Sequence, residues 1–412
     1  MALIMFLIFV TACDGILDVN DPGAIQLEEL DDPEMEELIY NGVLSEFQYA
    51  FNYLTLTASI LSDEVYTDHT NIDHREFALF DIRTTNILNQ NTYTFLQKAR
   101  VSAEDAAERI DGFDSADPLN VAHSLAYAGY SNILLGEHFC EVPINGGPAQ
   151  PWQDIHQRAL GQLEEARSRA QQALDQGHDA SRARHIINLA QNGMARAHLQ
   201  LGNMSQAIAH AQQVEDGFEA FVYRSSNSGR ERNINAAQWI TSDPWLSVDP
   251  RFRNLDDPRV AHIAEPLEGL NANDVYMPYR PRSYQGWSPL INQEINEGTG
   301  FIFASSLEAR YIIAEASGPN AETLTFVNER REAGNQLPVT LEGDEMMAEL
   351  RDQRARDFFL TVQRHGDIRR YLDLYGLDYF PTGAYPTGAG IYSNARCFII
   401  PASEITGNPN IN

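Results

Sequence analysis

Apolar residues recur at helical spacing along most of this chain, and that periodicity bounds its fold more tightly than any single motif. Met35, Leu38, Ile39, Val43 and Phe47 fall on one face behind Asp32 and Pro33, a capping residue followed by a proline suited to a helix's first turn. Further amphipathic segments run over 92–110, 121–135, 155–174, 188–201, 204–214, 307–316, 321–333 and 344–371. Within 187–214, small Ala195 is followed seven residues later by Gly202 and twelve later by Ala207. That is the tetratricopeptide spacing, in which small residues let two antiparallel helices approach and glycine turns the chain between them. The spacing returns in part at Gly129 and Gly136, and again in 307–334, where Gly318-Pro319 shortens the turn. Between Phe218 and Phe303 the character changes to Pro, Gly, Asn, Trp and Tyr without sustained periodicity. The expected fold is mainly α: a helical globule on tetratricopeptide-type helix pairs with one long, irregular, loop-rich insertion. Such repeats describe packing and name no ligand.

Charge narrows the function classes. Among 412 residues, 58 acidic and 29 basic side chains leave a net charge of −29, which argues against nucleic acid because phosphate binding needs clustered Lys and Arg. Lys98 is the sole lysine; every other basic residue is arginine. The hydration strategy of salt-loving organisms and GC-rich codon usage both produce this pattern, and the sequence leaves the two open. Hydrophobic content of 43% is enough for a substantial core. There is no GxSxG, phosphate loop or Rossmann glycine pattern, and no carboxylate pair is marked out, so no enzymatic activity is expected. The histidines are scattered and neither CxxC nor HExxH occurs, so no metal site and no cofactor are expected. Cys140 and Cys397 could pair in an exported protein, but isolated buried thiols are the favoured reading.

Export itself is read from the first residues. The apolar run 3–11 is shorter than the ~20 residues a bilayer span needs, so it reads as a secretory signal. Its end, Thr11-Ala12-Cys13, resembles a bacterial lipoprotein cleavage site. The resemblance implies a mature chain beginning at Cys13, with palmitate-type acyl chains that contribute ~0.8 kcal/mol of anchoring per buried CH₂. No Lys or Arg precedes the run, which leaves the true start codon open. Residues 14–32 are polar and acidic, as suits a tether.

Several segments together resemble the SusD/RagB family, the lipid-anchored outer-membrane nutrient-binding proteins of Bacteroidetes-like bacteria. Leu17-Asp18-Val19-Asn20-Asp21-Pro22 resembles the family's start, and Gly136-Glu137-His138-Phe139-Cys140-Glu141-Val142-Pro143 is similar to its “fGDvP” turn. The run from Leu307 to Ala316 resembles “eirLiyAEA”, with Asn328 and Ala333-Gly334 following. Arg354 to Arg370 resembles “ReRelaFEGhRwfDLRR” at Arg354, Arg356, Arg364, Asp367, Arg369 and Arg370. Here Asp357 stands for Glu, Thr361-Val362 for “EG” and His365-Gly366 for “wf”. The ending, from Ile400-Pro401 through Glu404-Ile405 to Asn408-Pro409-Asn410, resembles “PIPqsEidaNPnl”. The arginine-rich motif reads as a buried Arg–Asp pair fixing the C-terminal helices rather than as an anion site.

Sugars are bound by stacking on aromatic rings and by hydrogen bonds from Asp, Asn, Arg and Gln, and two irregular segments have that composition. One is 63–74, with Tyr66, His69 and Asn71; the other is 239–287, with Trp245, Tyr276, Tyr279, Tyr284 and Trp287. These eight are the candidate ligand-binding residues, although large aromatics also plug cores over helix ends. The expected organisation is a signal peptide at 1–12, a lipidated tether at 13–32, a tetratricopeptide-like part at 33–217 and a SusD-like part at 218–412 packed into the same globule. The resemblance implies a cell-surface lipoprotein of the outer membrane that delivers an oligosaccharide to a SusC-like TonB-dependent transporter. A peptide-binding, RagB-like uptake protein and a tetratricopeptide interaction scaffold are the alternatives. Two outcomes are expected. Cys13→Ala releases the protein from cell membranes, and unchanged membrane partitioning of the variant contradicts the anchor. The melting temperature rises between dilute buffer and molar salt, because salt screens the like charge of an acidic surface; a flat series contradicts this.

Overall fold

The computed structural model describes residues 27–67, 69–236, 246–253, 255–260, 262–264, 279–281, 297–386 and 388–411. The fold is mainly α. Asp32 accepts the Glu34 N–H and caps a short turn at Pro33–Met35, which leads into α1 (Glu36–Ile60). There follow α2 (Ile72–Ala78), α3 (Ile87–Asp111), α4 (Pro118–His138), α5 (Trp152–Asp175), α6 (Ala180–Gln200) and α7 (Met204–Ala211). The C-terminal part contributes α8 (Ser306–Ser317), α9 (Ala321–Ala333), α10 (Gly343–Asp357), α11 (Gln363–Tyr375) and short α12 (Ala402–Gly407). The helices α3, α4 and α6 begin earlier than their apolar spacing suggests. Asn86, Asp117 and Asp179 accept first-turn N–H groups, and such caps fix a helix start independently of its apolar spacing.

Strands occur only as antiparallel pairs among the described residues. They are β1 (Val65–Thr67) with β5 (Leu246–Val248), β2 (Glu141–Pro143) with β3 (Ala149–Pro151), β4 (Glu219–Val222) with β8 (Phe301–Ser305), and β6 (His262–Ala264) with β7 (Tyr279–Pro281).

Helices α3 to α7 pack in succession, each on the next, and α7 on α8. Their close approach depends on the small residues read from the sequence. A methyl group at Gly129 would lie 2.6 Å from Leu163 Cγ, and one at Gly136 would collide with the His156 ring. Gly202 turns the chain between α6 and α7 at φ +75°, and Ala195 and Ala207 meet beneath that turn in a fully buried cluster with Leu199 and Ile312. The largest core cluster draws on both halves of the chain, from Phe47 and Tyr130 to Phe303 and Phe359.

Two expectations are corrected. Cys140 and Cys397 are a disulfide rather than isolated thiols; a backbone bridge between Phe139 and Phe398 sets their Cα atoms 5.3 Å apart, which spacing in sequence could not reveal. The segment 344–371 is two helices rather than one. It breaks at Phe358–Val362, where Leu360 and Val362 take positive φ angles of 60° and 69°. The Leu360 N–H leaves the helical ladder and donates to the Glu64 carboxyl at 2.6 Å.

The break aims α11 into the core, where charged side chains tie it to four other parts of the chain. Arg364 makes two 2.6 Å bonds to Asp63 after α1, and Asp367 accepts from Arg354 of α10 at 2.7 Å. Arg370 makes two 2.9 Å bonds to Glu315 of α8. Arg369 donates to the backbone carbonyls of Gly136, Glu137 and Phe139 at the end of α4. All four α11 side chains are buried, so removing one partner strands a charge and costs about 3–5 kcal/mol.

Glu64, fully buried at the α10–α11 break, supplies a clean pH test. Burial pushes its carboxyl up to about 8, against the opposing Leu360 N–H bond and with help from the Asp63 charge. A carboxyl raised on folding stabilises most where it is protonated in both states, below its unfolded value. That stability is lost as pH climbs toward 8. Wild type therefore loses melting temperature from pH 5 to 9 relative to Glu64→Gln, which cannot ionise. Parallel curves for the two proteins refute this.

Candidate functional site

The chain leaves α1 through Asp63 and Glu64 into β1, and this junction is held rigidly. Burial would raise the Asp63 carboxyl, but Arg364 and Arg251 overcome it and hold Asp63 at about 2. β1 then pairs with β5, Thr67 opposite Leu246 and Val65 opposite Val248. β7 also lies close to β5. Three strands from distant parts of the sequence thus meet where the 63–74 segment begins.

Beyond β1, a short loop runs into α2. The His69 N–H donates to Thr67 Oγ1 at 3.1 Å, and His69 Nδ1 accepts the Asn71 N–H at 2.9 Å. Asn71 Oδ1 in turn accepts the Asp73 N–H at 2.8 Å and caps α2. The His69 ring stacks on His74 with centroids 4.3 Å apart, and burial together with His69 lowers His74 to about 4, so it is neutral at pH 7.

Opposite the loop runs a strap, residues 376–411, that follows α11 back across the molecule. Tyr385 of the strap reaches β1, where its Oη accepts the Thr67 N–H at 2.7 Å and donates to the Thr67 carbonyl at 2.9 Å. Gly390 packs against Leu79, and the Ser393 N–H donates to the Leu79 carbonyl at 2.7 Å. Between loop and strap lies an open cavity of about 260 Å³, lined by Thr67, His69, Thr70, Arg75, Leu79, Tyr385, Gly388 and Ala389. That is just under the ~300 Å³ lower bound of typical ligand pockets, and suits one ring-sized group. Its wall mixes methyl and ring faces with hydroxyl, imidazole and guanidinium donors, the chemistry a polar ring with apolar faces needs.

The candidate residues fare differently. His69 is at the cavity, half-buried. Asn71 is exposed beside it, its carbonyl oxygen committed to the cap. Tyr66 is 5% exposed, with Arg253 5.0 Å over its ring and Tyr385 edge-on at 6.4 Å, so it lies behind the wall. The cause is the β1–β5 pairing, a tertiary contact that turns this side chain inward. Tyr279 lies in β7. Trp245, Tyr276, Tyr284, Trp287 and the lipidation candidate Cys13 lie outside the described residues. Arg75, Tyr385, Gly388 and Ala389 were missed. The signal lies in 379–390, Tyr-Phe-Pro-Thr-Gly-Ala-Tyr-Pro-Thr-Gly-Ala-Gly, which is rich in aromatic residues, glycine and proline as the 239–287 segment is.

Among the described residues no His, Cys, Asp or Glu cluster of three is placed to hold a metal ion, and no helix is long and apolar enough to cross a membrane. No family model and no curated protein matches the chain. Solved structures do. A SusD homolog from Bacteroides thetaiotaomicron is similar over 95% of this chain and 99% of its own, with a TM-score of 0.70 and 15% identity. A SusD-like carbohydrate binding protein from Bacteroides vulgatus is similar over 92% and 97%, with a TM-score of 0.67 and 14% identity. A laminarin binding SusD-like protein is similar over 91% and 98%, with a TM-score of 0.65 and 13% identity. The likeness spans almost the whole of each chain, and the fold is SusD-like.

Proposed function

We propose that this protein is a non-catalytic, cell-surface nutrient-binding lipoprotein that captures an oligosaccharide and delivers it to a SusC-like TonB-dependent transporter. One observation carries the binding half of this reading. The β1–β5 pair places Thr67, which lines the cavity, opposite Leu246 of the 239–287 segment, so the two candidate ligand segments are joined by backbone pairing beside it. Carbohydrate binding in two proteins of the same fold supports an oligosaccharide ligand. The disulfide supports export, since such bonds persist outside reducing cytosol. Anchoring through Cys13 and the transporter partner rest on the sequence resemblance.

In this reading His69 and Arg75 supply polar contacts in the cavity and Asn71 beside it, and Trp245, Tyr276, Tyr279, Tyr284 and Trp287 supply stacking faces. An aromatic face contributes about 1 kcal/mol beyond its buried area, so losing two weakens binding by about tenfold or more. The helices hold the core, and the fold survives these changes. Calorimetry against a glycan panel that includes laminarin, with circular dichroism as the control, tests it. Trp245→Ala/Trp287→Ala and His69→Ala/Arg75→Ala are each expected to lose about tenfold in affinity while staying folded. Unchanged affinity in folded variants moves the site elsewhere. Binding of peptides with no glycan response favours the peptide-uptake alternative.

A further inference from the structure

The strap forms one wall of the cavity, yet it contains no long helix or strand to hold itself in place. Its attachments run from a near end to a far end, with the Ser393 and Ala395 N–H groups bonded to the Leu79 and Phe80 carbonyls between them. At the near end is Tyr385, whose hydroxyl serves both the N–H and the carbonyl of Thr67. At the far end, 12 residues on, Cys397 is bonded to Cys140 just beyond α4. Phe398 there exchanges backbone bonds with its neighbours: its N–H donates to the His138 carbonyl at 2.8 Å and its carbonyl accepts the Cys140 N–H at 3.0 Å. The Phe398 ring packs against Phe77, Phe139, His138 and His365. The covalent tie thus sits where the strap meets the helical frame, and the tyrosine sits where the strap meets the cavity.

We propose that the Cys140–Cys397 disulfide and Tyr385 are positioning groups for the cavity wall, so that the cavity is complete only in the oxidised protein. Its consequence for glycan capture rests on the function proposed above; the positioning itself does not. Forming the bond converts two thiols to one S–S with release of two protons and two electrons. The electrons reduce a thiol–disulfide oxidant from its disulfide to its dithiol form, a class of reagent that acts outside the reducing cytosol. Both cysteines are partly exposed, so such an oxidant reaches them. Before oxidation the far end of the strap depends on non-covalent contacts: backbone bonds, ring packing and the Asn89 side chain, which donates to the Ile399 carbonyl at 2.8 Å. A chain still in the cytosol therefore carries an unfinished wall, and binding competence follows export.

The alternative is a general staple: a bond spanning 257 residues that restricts the unfolded chain and stabilises every part of the molecule alike. Amide hydrogen exchange separates the two. On reduction with dithiothreitol, which itself closes to a cyclic disulfide, the Thr67 amide is expected to exchange about tenfold faster while the Leu163 amide in α5 is unchanged. Tyr385→Phe keeps the ring and loses the hydroxyl; it is expected to accelerate Thr67 and leave the Phe398 amide protected. Equal acceleration at Thr67 and Leu163 on reduction, or no acceleration at Thr67 on reduction, overturns the proposal whatever Tyr385→Phe does. Laminarin titration of the oxidised and reduced forms reads the functional half. If neither form binds while Thr67 responds as expected, the glycan reading fails and the positioning role stands.

Discussion

The buried charges of α11 are the constraint on which the rest of this molecule depends. One 13-residue helix presents Arg364, Asp367, Arg369 and Arg370 to four separate segments: the end of α1, α10, the end of α4 and α8. Each contact is specific in direction, because a guanidinium fork meets a carboxylate or a set of carbonyls in fixed geometry. Buried ion pairs are weak evidence of net stability against an apolar core, yet breaking one strands a charge. What they supply here is register. With α11 fixed, Asp63 fixes β1, β1 fixes its pairing with β5, and the cavity follows.

Much of the frame could be read from sequence because it is local. Ala195, Gly202 and Ala207 announce a helix pair by size and spacing, and the pair is where they put it. The arginine-rich motif likewise announced a buried Arg–Asp pair, and Arg354–Asp367 is that pair. What could not be read depends on distant partners. Leu360 leaves the helix for Glu64, 296 residues away, and Cys140 finds Cys397 across 257. Tyr66 carries no mark in its own neighbourhood that β5 will turn it inward. The site was half legible for the same reason: composition found the loop at His69, while the wall opposite belongs to a strap that arrives from the far end of the chain.

The departures from the family pattern become intelligible in place. Asp357 takes two 2.8 Å bonds from Arg330 and also accepts from the Tyr311 hydroxyl, so a carboxylate on the shorter stem is fully used. His365 stacks on buried His138 with Nδ1 atoms 2.9 Å apart, and Gly366 lets the helix press against Glu137, where a methyl group would sit 3.2 Å away. Val362 is the exception. It stands where the pattern has glycine, at a φ of 69° that a β-branched side chain rarely adopts. Surrounding contacts override local preference there: the neighbouring Leu360 is held by Glu64, and the valine side chain is itself buried.

Charge is distributed with the same logic. Among the described residues eight arginines are buried, at positions 100, 196, 259, 351, 354, 364, 369 and 370, and most of these serve internal carboxylates or carbonyls. Buried carboxylates such as Asp63, Glu137, Glu315 and Asp367 balance these cations, so with 29 basic residues against 58 acidic ones the outer surface keeps the chain's acidic excess. Such a surface stays hydrated and soluble, and it repels polyanions over distances of about a Debye length, ~8 Å at physiological ionic strength. Neutral ligands meet no such barrier. The cavity suits them, since His69 beside neutral His74, the hydroxyls of Thr67 and Thr70 and one arginine offer directed hydrogen bonds without a concentrated field. In the function proposed above, the acidic exterior and the mixed pocket are both consistent with a neutral polar ligand recognised by shape and hydrogen bonding.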